Sequence, residues 1–492
     1  MRITHRRRRG VLAAAAILLP ACGRATARAP EVPQADVTAR IARVENGLLP
    51  AIRVRGRSYT PSTIDERLRG LGVPAASVAV INGGRLQWAK AYGMADVESG
   101  RRATTATLFQ AASMSKPVAS MGALRLVEEG RLALDEDVNA KLRSWKVPAG
   151  DLTARKPVTL RGLLTHSAGL TVHGFPGYAA SASVPTVAQI LSGEKPANTA
   201  VVRVDIEPGS RWRYSGGGMT VMQLLMSDVT GEPFPALMRR LVLDPLGMSS
   251  STFEQPLPPT FAARAATGYR RGGRAVEGRY HTYPEMAAAG LWTTPTDLAA
   301  WIVDVQRSLA GTSRRVLSRE MTTAMVTPGI GGWGLGVGVE GAGDSLRFSH
   351  GGSNEGFRGV FVGFAHGGNG AVVMTNSDLG SAVADEIVLA IAREYGWPGY
   401  RPREIVPIVL TPEAMSQYAG VYAVPGGTLR LTVSVDGGRV MVTQSGTPIE
   451  VVPTAPDAFA PTVPASPLRF ERDSSGKIVA LRAGDRRLER VP

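Results

Sequence analysis

Ser113-Met114-Ser115-Lys116 heads a stretch, Lys116 to Glu129, whose pattern predicts a helix stopped by Gly130. A serine at a helix start with a lysine three residues on puts both side chains on one face, a single turn apart. A serine hydroxyl is a poor nucleophile until a base takes its proton. A lysine held in a dry pocket, with its pKa lowered, can do so. The N–H groups at the helix start can also help an oxyanion. Alone, the spacing fits an N-cap serine and a surface lysine better than a catalytic pair, so its meaning depends on the rest of the chain.

Two further segments change that reading. Trp212-Arg213-Tyr214-Ser215 runs into Gly216-Gly217-Gly218 and then a helix predicted over Met219–Val229. A core tyrosine before a glycine-rich cap gives this pattern. So does a loop tyrosine beside a cation, able to shuttle a proton. Phe348-Ser349-His350-Gly351-Gly352-Ser353-Asn354 ends a predicted strand, where Gly351 and Gly352 leave backbone exposed for a substrate to pair along the edge. His350 by itself reads as a satisfied core or loop histidine.

In this order and approximate spacing the three motifs resemble the β-lactamase-related serine hydrolases: class C β-lactamases, D-Ala-D-Ala carboxypeptidases and their esterase relatives. That family carries S-x-x-K, then Y-x-N, then K/H-x-G. Leu163–Leu170, Asp244–Met248 and Ala289–Leu298 add to the resemblance, which covers about 36–400. It implies acylation of Ser113, with Lys116 as proton acceptor or relay. Tyr214 would assist acylation and activate the deacylating water. His350 stands where many relatives have lysine, and the backbone N–H groups of Ser113 and Ser353 would form the oxyanion hole. The implied substrate is a small ester, a D-amino-acid peptide or amide, or, slowly, a β-lactam, and no cofactor is implied. His166, His173 and His281 take no catalytic role from the pattern; His166 reads as packing or a hydrogen bond.

One departure bears on the substrate. Gly216 stands where the penicillin-binding members keep an asparagine that contacts the substrate amide and helps position the lysine. Glycine removes both contacts and is expected to leave room. With His350 in place of lysine, the fixed charge that attracts a substrate carboxylate is also reduced at neutral pH. Both changes argue against an efficient β-lactamase. The alternative is a catalytically weak, envelope-anchored ligand-binding or penicillin-sensing protein of the same fold.

Around these motifs, Ser77–Ile81 and Arg85–Tyr92 flank Asn82-Gly83-Gly84, a strong hairpin signal. Helices and loops fill roughly 150–310, and strands return near 345–350, 359–364 and 371–375. Strands, helices and strands again suggest a mixed α/β (α+β) fold: a β-lactamase/transpeptidase-like antiparallel sheet flanked by helices, with a helical subdomain. This hydrolase domain is expected over 36–400 and a proline-marked linker over 401–412. Leu429, Leu431, Val433 and Val435 alternate, as do Val440 and Val442 beyond a turn, so a small all-β domain is expected over 413–492. It resembles the lipocalin-like barrel appended to some of these hydrolases.

The 492 residues carry a formal charge of +15, falling to about +10 without residues 1–21, which hold five arginines and no acids. The remaining cations are mostly scattered arginines without the aromatic interleaving of a strand-binding groove, so no nucleic-acid partner is expected. Arg6–Arg9, the apolar run Val11–Leu19 and Pro20-Ala21-Cys22 read as an export signal over 1–22, followed by a tether over 23–35. Leu19–Cys22 looks like a lipobox with an unusual proline, so an exported protein is expected, either anchored in the membrane through a lipid on Cys22 or cleaved near Gly23 and periplasmic. Cys22 is the sole cysteine, which excludes an intrachain disulfide and a cysteine-rich zinc site. The histidine spacing offers no metal site either. Oligomeric state is not legible.

Overall fold

Asn82-Gly83-Gly84 folds as a hairpin turn between β1 (Ala75–Asn82) and β2 (Arg85–Asp96). Gly83 and Gly84 both take positive φ, 60° and 68°, which matches the twist of the paired strands. The computed structural model describes residues 1–2, 34–444 and 447–491. The export signal beyond residue 2, Cys22 included, and all of the tether but its last two residues lie outside them.

The central sheet adds β3 (Arg101–Arg102), β4 (Gly338–Glu340), β5 (Arg347–Asn354), β6 (Phe357–Phe364) and β7 (Gly370–Thr375). Its order is β3-β2-β1-β7-β6-β5-β4, antiparallel throughout, so the early strand β1 lies directly against the late strand β7. Both are buried on two faces. Ala76, Val78 and Val80 pack under α1 (Gln34–Glu45) and α5 (Gly380–Glu394), while Ala79 and Ile81 join the larger core. That core holds α2 (Ser115–Glu128), α3 (Gly216–Thr230) and α4 (Pro295–Leu309). Every α2 residue from Ser115 to Leu124 is buried, as a helix apolar on all sides requires. The fold is therefore the expected antiparallel sheet flanked by helices.

The segment expected as a linker is not wholly free. Arg403–Ile405 pairs in parallel with Ile52–Val54, an N-terminal strand that the sequence did not announce. Beyond it, eight strands from Gly420–Ala423 to Arg486–Val491 close into a barrel.

Candidate active site

The turn that presents Ser113 is held from both sides. Ala111 N–H donates to Leu291 O (2.8 Å), and Ser115 Oγ accepts from Leu291 N–H (3.0 Å) while donating to Ala112 O (2.5 Å). Ala112 sits at φ +50°, a strained region for a residue with a side chain, immediately before the serine. Strand β5 presses on the same turn: a Cβ at Gly352 would stand 2.3 Å from Ala111 O, so only glycine allows this approach. Asn354 closes the strand by donating to Gln110 Oε1 (3.0 Å) and Ala289 O (3.1 Å).

Lys116 is 2% exposed. Its Nζ donates to Ser113 Oγ (2.9 Å) and Ala288 O (2.7 Å) and lies 4.9 Å from the centre of the Tyr214 ring. Burial outweighs these contacts and pushes the ammonium down to about 7, so the free amine is accessible near neutral pH. Tyr214 also hydrogen-bonds Ser113, and burial raises its phenol well above the ordinary value. It therefore keeps its proton and acts as a donor or relay, not as a phenolate.

His350, on β5, is buried too. Its Nδ1 lies 2.6 Å from Gly351 O, a pure acceptor, so Nδ1 carries the proton and Nε2 presents an unpartnered lone pair. Burial, aided by Lys116, pushes its pKa down to about 3, so the ring is neutral. The structure thus brings Ser113, Tyr214 and His350 to one cleft of about 890 Å³, with Gly351, Gly352 and Ser353 along its floor and Lys116 buried behind Ser113. β4 pairs with β5 only at Arg347–Ser349, which leaves that floor as a sheet edge.

His166, read from sequence as packing or a hydrogen bond, does both here, and the aromatic walls around it were not singled out. His166 stacks on Tyr214 at 4.3 Å between centroids, and its Nδ1 accepts from Ser215 N–H (3.2 Å), which fixes a neutral ring behind the phenol. His173 lies 4.9 Å from the same ring. Trp212, Trp333 and Phe175 make the cleft's aromatic walls. Trp212 heads the second motif, so its position was a usable signal; Trp333 and Phe175 carried none.

Gly216 does not leave the expected room. A Cβ there would stand 3.0 Å from both His173 O and a Phe175 ring carbon, because the 173–175 loop folds onto the glycine. Gly216 N–H in turn donates to His173 O (3.0 Å). Restoring asparagine would displace this loop instead of supplying an amide contact. Gly216→Asn is accordingly expected to give no gain in acylation by a fluorescent penicillin, measured as a second-order labelling rate.

Glu285, one turn before Ala288, is fully buried, and neither carboxylate oxygen meets a donor from another residue. Burial pushes it up to about 8. In the unfolded chain the group ionises near 4.5, so between 4.5 and 8 only the folded state holds the proton and stability falls as pH rises. Glu285→Gln is expected to melt like wild type at pH 5 and to be more stable by a few kcal/mol at pH 9.

Among the described residues, no group of three or more His, Cys, Asp or Glu is placed to hold a metal, and no helix is long and apolar enough to cross a membrane. A family model described as Beta-lactamase matches residues 61–394. The chain is 31% identical to esterase EstB of Burkholderia gladioli over 48% of its own length and 61% of the esterase. It is 24% identical to a putative D-alanyl-D-alanine carboxypeptidase of Escherichia coli over 45% of its own length and 52% of that protein. The chain thus spans less than two thirds of these curated relatives. Among solved structures, the octameric penicillin-binding protein homologue from Pyrococcus abyssi matches with a TM-score of 0.60 at 23% identity, covering 86% of this chain and 98% of that one. FmtA from Staphylococcus aureus matches at 0.54 and 20% identity, covering 71% and 91%.

Proposed function

The chain belongs to the Beta-lactamase family, and from that premise we propose that it is a serine hydrolase of neutral, apolar esters working through an acyl-enzyme on Ser113. The observation that carries the substrate class is the lining of the cleft. Among the described residues no lysine or arginine lines it; its walls are aromatic, and its one charged lining group is Asp385. With His350 neutral, nothing on that surface favours the carboxylate of a β-lactam or of a D-peptide terminus. An uncharged ester meets no such penalty. The esterase named among the relatives agrees with this reading.

The contacts support the following reaction. Ser113 Oγ attacks the ester carbonyl as its proton passes to the free amine of Lys116, 2.9 Å away. The backbone N–H groups of Ser113 and Ser353 serve as the oxyanion hole. The C–O bond then breaks, and the alcohol leaves with the proton returned through Lys116 or the Tyr214 hydroxyl. Water repeats the sequence on the acyl-enzyme and releases the acid. Export and lipidation at Cys22 remain part of the proposal and would place this chemistry in the cell envelope.

The test is a panel of p-nitrophenyl esters, a D-Ala-D-Ala peptide and a chromogenic cephalosporin. Faster turnover of the esters is expected. Turnover of the peptide or the cephalosporin above that of every ester would overturn the substrate assignment.

A further inference from the structure

The C-terminal barrel is plugged at one end and hollow at the other. Tyr418, Tyr422, Phe459 and Phe470 fill one end, with ring centroids 4.7–5.5 Å apart. At the other end is a cavity of about 720 Å³, walled by Leu431, Val442, Val451 and Leu468. Polar lining residues, including Gln444, Asp485 and Arg486, come from the strand ends and turns of that open end. An eight-stranded barrel has room either for its own side chains or for one small ligand. This one does both, and its hollow end is of a size and polarity usual for ligand sites.

The hollow end faces the nucleophile. His173, from the loop that covers Gly216, lines both the barrel cavity and the Ser113 cleft. Pro464, from the barrel loop between Ala458–Pro461 and Leu468–Arg472, lines the Ser113 cleft as well. Direct contacts fix this orientation. Val452 and Ala460 pack on Ile52, Val54 and Ile405. Arg57 holds Glu450 through two hydrogen bonds of 2.7 and 2.8 Å, and Ile408 N–H donates to Pro453 O (2.9 Å).

We propose that the barrel lumen is a substrate subsite: it takes the apolar chain of the ester whose carbonyl Ser113 attacks, the chain running past His173 and Pro464 into the hollow end. The proposal rests on the ester reading above and gives the barrel a role in substrate selection. Chains of increasing length would gain by burying methylenes against Leu431, Val442 and Leu468.

Two ester series on the full chain test it: p-nitrophenyl esters from acetate to octanoate, and acetates of alcohols of increasing length. In one series kcat/KM is expected to rise about ten-fold for each two carbons added; the series that responds shows whether the acyl or the alcohol chain enters. Ala483→Trp, inside the cavity, and Ala465→Trp, at its mouth, are each expected to lower the long-to-short ratio at least about ten-fold. A flat profile in both series, or an unchanged ratio in both variants, overturns the proposal. Fluorescence of cis-parinaric acid with the Ser113→Ala protein reads the lumen without catalysis. Binding that Ala483→Trp or Ala465→Trp weakens supports the subsite even if no ester is turned over, a result that would sink only the ester reading. Absence of parinarate binding overturns the subsite.

Discussion

Ser113→Ala is expected to abolish covalent labelling by a fluorophosphonate and to lower ester hydrolysis roughly 100,000-fold, leaving only what the oxyanion donors and the cleft supply. The size follows from the chemistry: without Oγ no acyl-enzyme forms, and the groups around it have nothing to activate. Fluorophosphonate labelling is the direct readout, because the Oγ–P bond forms as fluoride leaves and the adduct can be located by mass spectrometry of peptides. The cleft contains two other serines, Ser353 and Ser381. Among the described residues no lysine or histidine hydrogen bond reaches either, whereas Lys116 Nζ sits 2.9 Å from Ser113 Oγ. Labelling at Ser353 or Ser381, or Ser113→Ala activity within ten-fold of wild type, would place the nucleophile elsewhere.

What the sequence allowed and what it hid divide along the range of the interactions. The 82–84 hairpin, the helix after Lys116 and the alternating strands at 429–442 are local patterns, and each appears where its spacing predicts. The convergence of Ser113, Tyr214 and His350 was legible only through the family resemblance, since nothing local links segments a hundred residues apart. Where local reasoning was extended to tertiary space it failed. Gly216 looked like vacated volume, but the backbone of a loop some forty residues earlier occupies it. Nothing local marked Glu285 either: its isolation shows only once Met286–Ala289, the short helix it precedes, is packed beneath the lysine. The strand Arg403–Ile405 is likewise defined by its partner at Ile52–Val54, across the whole hydrolase domain, while the prolines that flank it, Pro402 and Pro407, pointed to a linker.

Lys116→Met is the second large effect, and it is expected to move activity and stability in opposite directions. Methionine keeps most of the buried stem and removes the amine, so acylation of Ser113 should fall about 100- to 10,000-fold, the range for a lost general base. In wild type the free amine is the active form, and burial pushes its pKa down to about 7. The acylation rate is therefore expected to climb through about pH 7 and level off above it. His350, neutral from about pH 3 upward, adds no second limb in that range. Lys116→Met should lose the climb and keep a flat residual rate. Stability follows the opposite sign. Below about pH 7 the folded chain must hold an ammonium with few partners in a dry site, while the unfolded chain solvates it freely. Between about 7 and 10.5 the unfolded state holds the extra proton, so this cost to the wild type is relieved as pH rises. Lys116→Met should accordingly melt above wild type at pH 6, with the gap closing toward pH 10. A variant that is inactive and also less stable at pH 6 would show that Lys116 holds the turn in place through Ala288 instead of serving as the base. Lys116→Arg separates the two further: a guanidinium that cannot release its proton keeps a cation near Ala288 but should restore neither the rate nor its pH dependence.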